Sequence, residues 1–145
     1  MWAVAYVARH FAGLSDLQVT LFHVLPAEPT ELWDDGHILS AAEKSARQAV
    51  IERWLANREA SVVPLFGRAT EALVKRGFNP RQIEAKSVPM DVDVAEGVLA
   101  EAERGGYDML ILGRHGRAHA ARFLLGSVAT KVVNHAAGLA VCVVE

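Results

Sequence analysis

The sequence predicts an α/β domain, a single doubly wound and mostly parallel sheet with helices on both faces. Three observations predict it. Helical and strand-like patterns alternate along the chain, and the runs Gln18–Leu25 (QVTLFHVL), rich in β-branched and aromatic residues, Asp108–Leu112 (DMLIL) and Leu139–Val144 (LAVCVV), both short and apolar, read as strands. The segments joining these runs carry helical periodicity, so successive strands are linked by right-handed crossovers and lie parallel. At 145 residues the chain is read as one domain, residues 1–145. That length buries roughly two-thirds of the surface an unfolded chain would expose.

Each element follows from local signals. Trp2, Ala5, Ala8 and Ala12 share a helical face with Val4, Val7 and Phe11 beside them, so Met1 to about Phe11 reads as an amphipathic helix without a cap, ended by Gly13. The strand Gln18–Leu25 is closed by Pro26. Ala27–Ile38, with Pro29, Asp34-Asp35 and Gly36, is a loop. Ser40 with Glu43 makes a capping box for a helix from Ala41 towards Ala60. Pro64 predicts a break or kink before a second helical stretch through Phe66, Ala69, Leu73 and Val74, stopped by Gly77. Alternation in Arg81–Val88 (RQIEAKSV) marks a strand nearer the sheet edge. Asp91 or Asp93 caps a helix through Val94, Val98, Leu99 and Ala102 that ends at Gly105-Gly106. Asp108–Leu112 is the central parallel strand, followed by a loop from Gly113 to Gly126 and a helix through Val128, Val132 and Val133. Leu139–Val144 is the last strand.

Composition excludes several functions. Hydrophobic residues make up 52% and charged residues 22%, which suits a globular core and not a disordered tail. Fifteen basic residues against seventeen acidic ones leave no electrostatic footprint for nucleic acid or an anionic membrane, so an anion site must be local. The single cysteine, Cys142, allows no internal disulfide and suits a reducing, cytoplasmic setting. No apolar run is long enough to span a bilayer. Met1–Ala8 lacks the basic flank of a signal peptide, and Arg9-His10 follow at once.

The most informative constellation is Gly113-Arg114-His115-Gly116, nine further residues, then Gly126-Ser127. The loop leaves the carboxyl end of a parallel strand and ends at a helix start, where open α/β sheets place ligands. Glycines let the backbone approach phosphate oxygens, and the N–H groups of Ser127, Val128 and Ala129 point at an anion there. Arg114, Arg117 and Arg122 add charge, although arginines in a surface loop are commonly just solvated. The plainer reading is a tight turn at Gly113 and Gly116 and a helix start at Gly126-Ser127. The spacing is neither a Walker loop nor a dinucleotide fingerprint.

This pattern, Gly-x2-Gly-x9-Gly-Ser, resembles the nucleotide-binding signature of the universal stress protein family, and the likeness extends over DMLILGRHG, RFLLGSVATKVV and the strand LFHVLP. The resemblance implies five parallel strands in the order 3-2-1-4-5, a common dimer, and ATP or a close purine nucleotide at the switch point. It implies that Gly113, Arg114, His115, Gly116, Gly126 and Ser127 line the phosphate and ribose end, and that Val24 meets adenine through its backbone. Two departures stand out. Ala129 occupies a place where the family usually carries serine or threonine, with Thr130 one residue late. The family's first strand, with its nucleotide-contacting aspartate, has no counterpart in the chain, which opens in the following helix. Strands two and four would then stand about 10 Å apart with nothing between them, and unpaired central backbone is costly. The expectation is that residues upstream of Met1 supply that strand, the lesser alternative being direct pairing of strands two and four.

Other candidates carry less. His115 and His119 have no third ligand within sequence reach, so no metal site is expected. Asp91 and Asp93 read as helix-start residues rather than paired catalytic carboxylates, and Cys142 as a buried structural thiol. Trp2, Trp33 and Trp54 show no aromatic and basic interleaving for single-stranded nucleic acid. No Ser-His-Asp set, zinc spacing or general base accompanies the loop, so no catalytic residue is named and binding is favoured over turnover, with at most a slow ATPase. The expected protein is therefore a stress-response nucleotide binder holding ATP, with Mg²⁺ carried mainly by the phosphates. It is expected to be a homodimer through the apolar edge strand Leu139–Val144. The alternative is a nucleotide-free dimeric adaptor working through protein contacts.

Overall fold

The computed structural model describes residues 1–27, 40–114 and 125–145. In chain order these form α1 (Trp2–His10), β1 (Val19–Leu25), α2 (Ala41–Val74), a 3-10 turn (Pro80–Gln82), β2 (Ile83–Pro89), α3 (Val94–Gly105), β3 (Met109–Gly113), α4 (Ser127–His135) and β4 (Ala140–Val144). Helices and parallel strands alternate throughout, the α/β pattern of a doubly wound fold.

Local chemistry sets most boundaries. At the start of α2 the Ser40 and Glu43 side chains each take the other's backbone N–H, the reciprocal box read from the sequence. Asp93, not Asp91, caps α3 by accepting the Glu96 N–H at 2.9 Å. Gly106 ends that helix in the left-handed region at φ +63°. Two expectations are corrected. Pro64 does not divide the second helical region: α2 runs as one helix of 34 residues, about 50 Å at 1.5 Å per residue. Pro64 is exposed, and the bond it forfeits is outweighed by the packing of Val62, Ala69 and Leu73 on either side. The strand expected from Arg81 starts at Ile83, because Asn79 and Pro80 first wind a turn in which Asn79 accepts the Arg81 N–H. Gln82 then donates to the carbonyls of Leu14, Ser15 and Leu17, pinning the link from α1 to β1.

β1 pairs in parallel with β2, from Val19 opposite Ile83 to Leu25 opposite Pro89. β3 pairs in parallel with β4, from Met109 opposite Ala140 to Gly113 opposite Val144. Among the described residues these are two separate two-stranded sheets, and no backbone hydrogen bond joins β1 to β3. Direct pairing of β1 with β3, the lesser alternative above, is thus not seen among the described residues. Each of the four strands therefore has a ladder partner on one side only among the described residues.

The main core lies between α1, α2 and β1, where Ala8, Leu21, Ala69, Leu73 and Phe78 cluster. On α3, Gly97 lets the helix approach β1 so closely that a Cβ there would stand 2.9 Å from Val24 Cγ2. Glu101, 3% exposed, accepts hydrogen bonds from Lys86 Nζ, Arg104 Nη2 and Tyr107 Oη at 2.7, 2.6 and 2.8 Å. Burial pushes its carboxyl up, but these three donors outweigh burial and hold it at about 2.

Candidate functional site

The loop's two ends meet in the structure. Arg114, the residue after β3, donates its N–H to the Val144 carbonyl at 2.7 Å, and its own carbonyl accepts the Gly126 N–H at 2.9 Å. The carboxyl end of β3 and the start of α4 are therefore held side by side. This brings Gly113, Arg114, Gly126, Ser127, Val128 and Ala129 into one neighbourhood, as the sequence predicts. His115, Gly116, Arg117, His119 and Arg122 lie outside the described residues, as do Trp33 and Asp34-Asp35 of the earlier loop.

α4 opens without a side-chain cap, since Gly126 is its N-cap residue. The N–H groups of Ser127, Val128 and Ala129 make no backbone hydrogen bond to a described residue. They are the orphan donors of a helix start, with the positive end of the helix dipole behind them. Ser127 is exposed, Val128 half-buried and Ala129 2% exposed. The Thr130 hydroxyl, one residue after Ala129, bonds back to the Leu125 carbonyl at 3.4 Å and adds no free hydroxyl at the helix start.

A cleft of about 280 Å³ opens between the first turns of α3 and α4, with Met90, Asp93, Val94 and Ala95 on one wall and Ser127, Val128 and Lys131 on the other. Lys131 ties the walls together, its ammonium 2.8 Å from Asp93 Oδ2 and 2.7 Å from Glu96 Oε1. Hydrogen bonding to Asp93 and Glu96 raises the Lys131 ammonium above its ordinary value, and Lys131 followed by the Glu96 N–H lowers Asp93. The sequence reading missed Met90 and Lys131 as lining residues. Lys131 was visible as the residue four beyond Ser127, on the same helix face. Asp93 caps its helix as expected and also turns a carboxylate oxygen to Lys131.

Val24 lies apart from the helix start, in β1. Its side chain is buried against α3, so only its backbone is available to a ligand. Leu25 directs its carbonyl to Met90 on the β2 side, and backbone groups alternate along a strand, so the Val24 N–H and C=O face the opposite edge, which has no ladder partner among the described residues. The Arg114 guanidinium is 3.1 Å from Glu145 Oε1.

A family model described as the universal stress protein family matches residues 2–143. The chain belongs to the universal stress protein family. Among solved structures, hypothetical protein MJ0577, the subject of a structure-based assignment of biochemical function, superposes with a TM-score of 0.63. It is 21% identical, over 98% of this chain and 84% of that one. Hypothetical protein PH0823 superposes with a TM-score of 0.54 at 15% identity, over 97% of this chain and 84% of that one. These likenesses establish the universal stress protein fold. No curated protein matches the sequence. Among the described residues no group of three His, Cys, Asp or Glu is placed to hold a metal, and no helix is long and apolar enough to cross a membrane.

Proposed function

We propose that this universal stress protein binds ATP or a close purine nucleotide in a stress response, and works by binding rather than by turnover. The observation that carries the reading is the junction of β3 with an uncapped α4, fixed by the bond from the Gly126 N–H to the Arg114 carbonyl. Phosphate oxygens would take the N–H groups of Ser127, Val128 and Ala129 and the Ser127 hydroxyl, with Gly113, Arg114, His115 and Gly116 closing over them. The open-edge backbone of Val24 would meet the base. Mg²⁺ would ride on the phosphates, keeping most of its own waters. The protein would act in the cytoplasm, without nucleic acid or membrane as a partner.

Calorimetry with Mg-ATP tests this. Ser127→Ala should weaken binding about fivefold to tenfold, the worth of one hydrogen bond to a charged acceptor. Gly116→Val should abolish it by blocking close backbone approach. Absence of heat and of thermal shift at millimolar ATP, with wild type and both variants alike, would leave the second reading.

That reading is a nucleotide-free adaptor, and specific features favour it. Arg114 and Lys131 are already paired with carboxylates, and among the described residues the Thr130 hydroxyl turns back to the Leu125 carbonyl instead of joining Ser127 at the helix start. Both readings include a homodimer through β4, a strand with no lysine or proline to discourage edge pairing and a ladder partner on one side only among the described residues. Val141→Lys should shift scattering mass towards the monomer, and an unchanged mass would exclude that interface.

A further inference from the structure

α3 carries carboxylates at both of its ends, and the two ends are built differently. Glu101 is buried and takes three donors, so it is a fixed clamp. In the first turn, Asp93 and Glu96 share the ammonium of Lys131, and the side chains of these three are 45%, 49% and 32% exposed. Ion pairs this open to water contribute little net stability and break at small cost. Breaking them leaves α3 intact. Asp93 caps that helix through Oδ1, which accepts the Glu96 N–H at 2.9 Å, and meets Lys131 through Oδ2 at 2.8 Å. The position of the contact matters more than its strength. Lys131 stands four residues beyond Ser127 on the same face of α4, and both line the cleft with Val128. Among the described residues of that lining Lys131 is the only basic one, and its single charge is divided between two carboxylates. An anion at the N–H groups of Ser127, Val128 and Ala129 would therefore meet a lysine already engaged and one negative charge in excess.

We propose that the contact of Lys131 with Asp93 and Glu96 is autoinhibitory: the two carboxylates of α3 compete with a phosphate-bearing ligand at the start of α4 for one ammonium, and so hold the empty site in a state of low affinity. This rests on the phosphate-binding reading of α4 given above and adds the regulation of that site. A lysine stem is flexible and its ammonium carries three rotatable donors, so Lys131 can leave α3 and turn along α4 to the ligand. When the site fills, the strap opens and the first turn of α3 is released from α4. When it empties, the strap re-forms across the cleft. A ligand shifts such an equilibrium only by what it gains in the released state, which here is the ammonium. The exposure of the three side chains suits this exchange, since a buried clamp like that of Glu101 would not give way.

The test compares wild type, the double variant Asp93→Asn with Glu96→Gln, the single variant Lys131→Met, and all three substitutions together, by calorimetry with Mg-ATP and with inorganic tripolyphosphate. Asparagine caps a helix as well as aspartate does, so the double variant keeps the start of α3. Glu96→Gln alone leaves the cap untouched and should move affinity in the same direction if the double variant folds poorly. The double variant should bind at least about fivefold tighter than wild type, and the gain should be at least about threefold smaller when Lys131→Met is present in both proteins compared. No gain, or an equal gain in the Lys131→Met background, which means plain repulsion by the carboxylates, overturns the proposal. With isotope-labelled lysine, the Lys131 Cε resonance of wild type should move as the ligand saturates the site, and a resonance that stays in place also overturns it. The two probes separate this proposal from the nucleotide reading. The expected gains with tripolyphosphate but no heat from Mg-ATP in any variant would keep the proposal and remove nucleotide binding. Binding of Mg-ATP without a gain would keep nucleotide binding and overturn the proposal. No heat from either probe in any variant would overturn both.

Discussion

The two strand pairs have the same parallel geometry but very different surroundings. In the first, β1 buries Leu21, Val24 and Leu25 beneath α1, α2 and α3. In the second, β3 has no fully buried residue and β4 has only Val144. The difference teaches where this protein keeps stability and where it keeps chemistry. The β1–β2 half carries the main core, whereas the β3–β4 half carries the loop ends and the uncapped helix start. A site needs open backbone donors and room for a ligand, so it belongs where burial is least complete.

The largest effect should come from testing that division directly. Leu73, 0% exposed within the main cluster, should cost about 3 kcal/mol on truncation to alanine, from lost transfer energy and the cavity left behind. Leu112→Ala on half-buried β3 should cost about 1 kcal/mol. Urea denaturation midpoints measure both. Equal costs would mean that the halves are equally packed and would remove the contrast.

Glu101 gives the next largest effect, because it fastens α3 to the stable half through Lys86 of β2 and to the start of β3 through Tyr107. Its carboxyl is held at about 2 against an ordinary 4.5. A folded value below the unfolded one means that stability is fully present above about pH 4.5 and is lost as pH falls towards 2. At neutral pH Glu101→Ala should cost about 2–3 kcal/mol, less than a fully buried pair because Lys86 and Arg104 remain partly solvated. The variant should also flatten the acid limb of a stability curve measured from pH 6 to pH 2. An unchanged acid limb would show that another carboxylate sets it.

Much of this was legible because the signals were local. The Ser40 and Glu43 box, the left-handed Gly106 and the apolar strands each depend on neighbours within a few residues, and each appears in the structure. The meeting of Gly113 with Gly126-Ser127 was also legible, since a strand end and the helix after it must adjoin in a crossover fold. What escaped depended on distant partners. The pairing of Lys131 with Asp93 and Glu96 brings together helices separated by β3 and the long loop. The burial of Glu101 requires Lys86 from another strand. Pro64 misled for a related reason: a proline penalty is local, and the packing around Val62 and Ala69 that outweighs it is not.

The smallest effect should come from the start of α2, and it refines the contrast by showing that the stable half is itself uneven. From Ala41 to Ala60 no residue of this helix is buried, and the core contacts begin at Val62. Among the described residues, the Ser40 cap, the Gln48 to Glu52 bond and helix propensity support these first five turns, with no fully buried side chain beneath them. Ser40→Ala removes the side chain that accepts the Glu43 N–H and costs about 1 kcal/mol of local helix stability. Because that segment adds little to the cooperative core, the loss should appear as fraying: lower helical ellipticity at 222 nm (a wavelength about which helix signals are read) and faster amide exchange from Ala41 to Ala60. The global unfolding midpoint should hardly move. A drop in the midpoint as large as that of Leu112→Ala would show that the exposed turns are coupled to the core, and the boundary of the stable half would then have to be drawn at Ser40 instead of Val62.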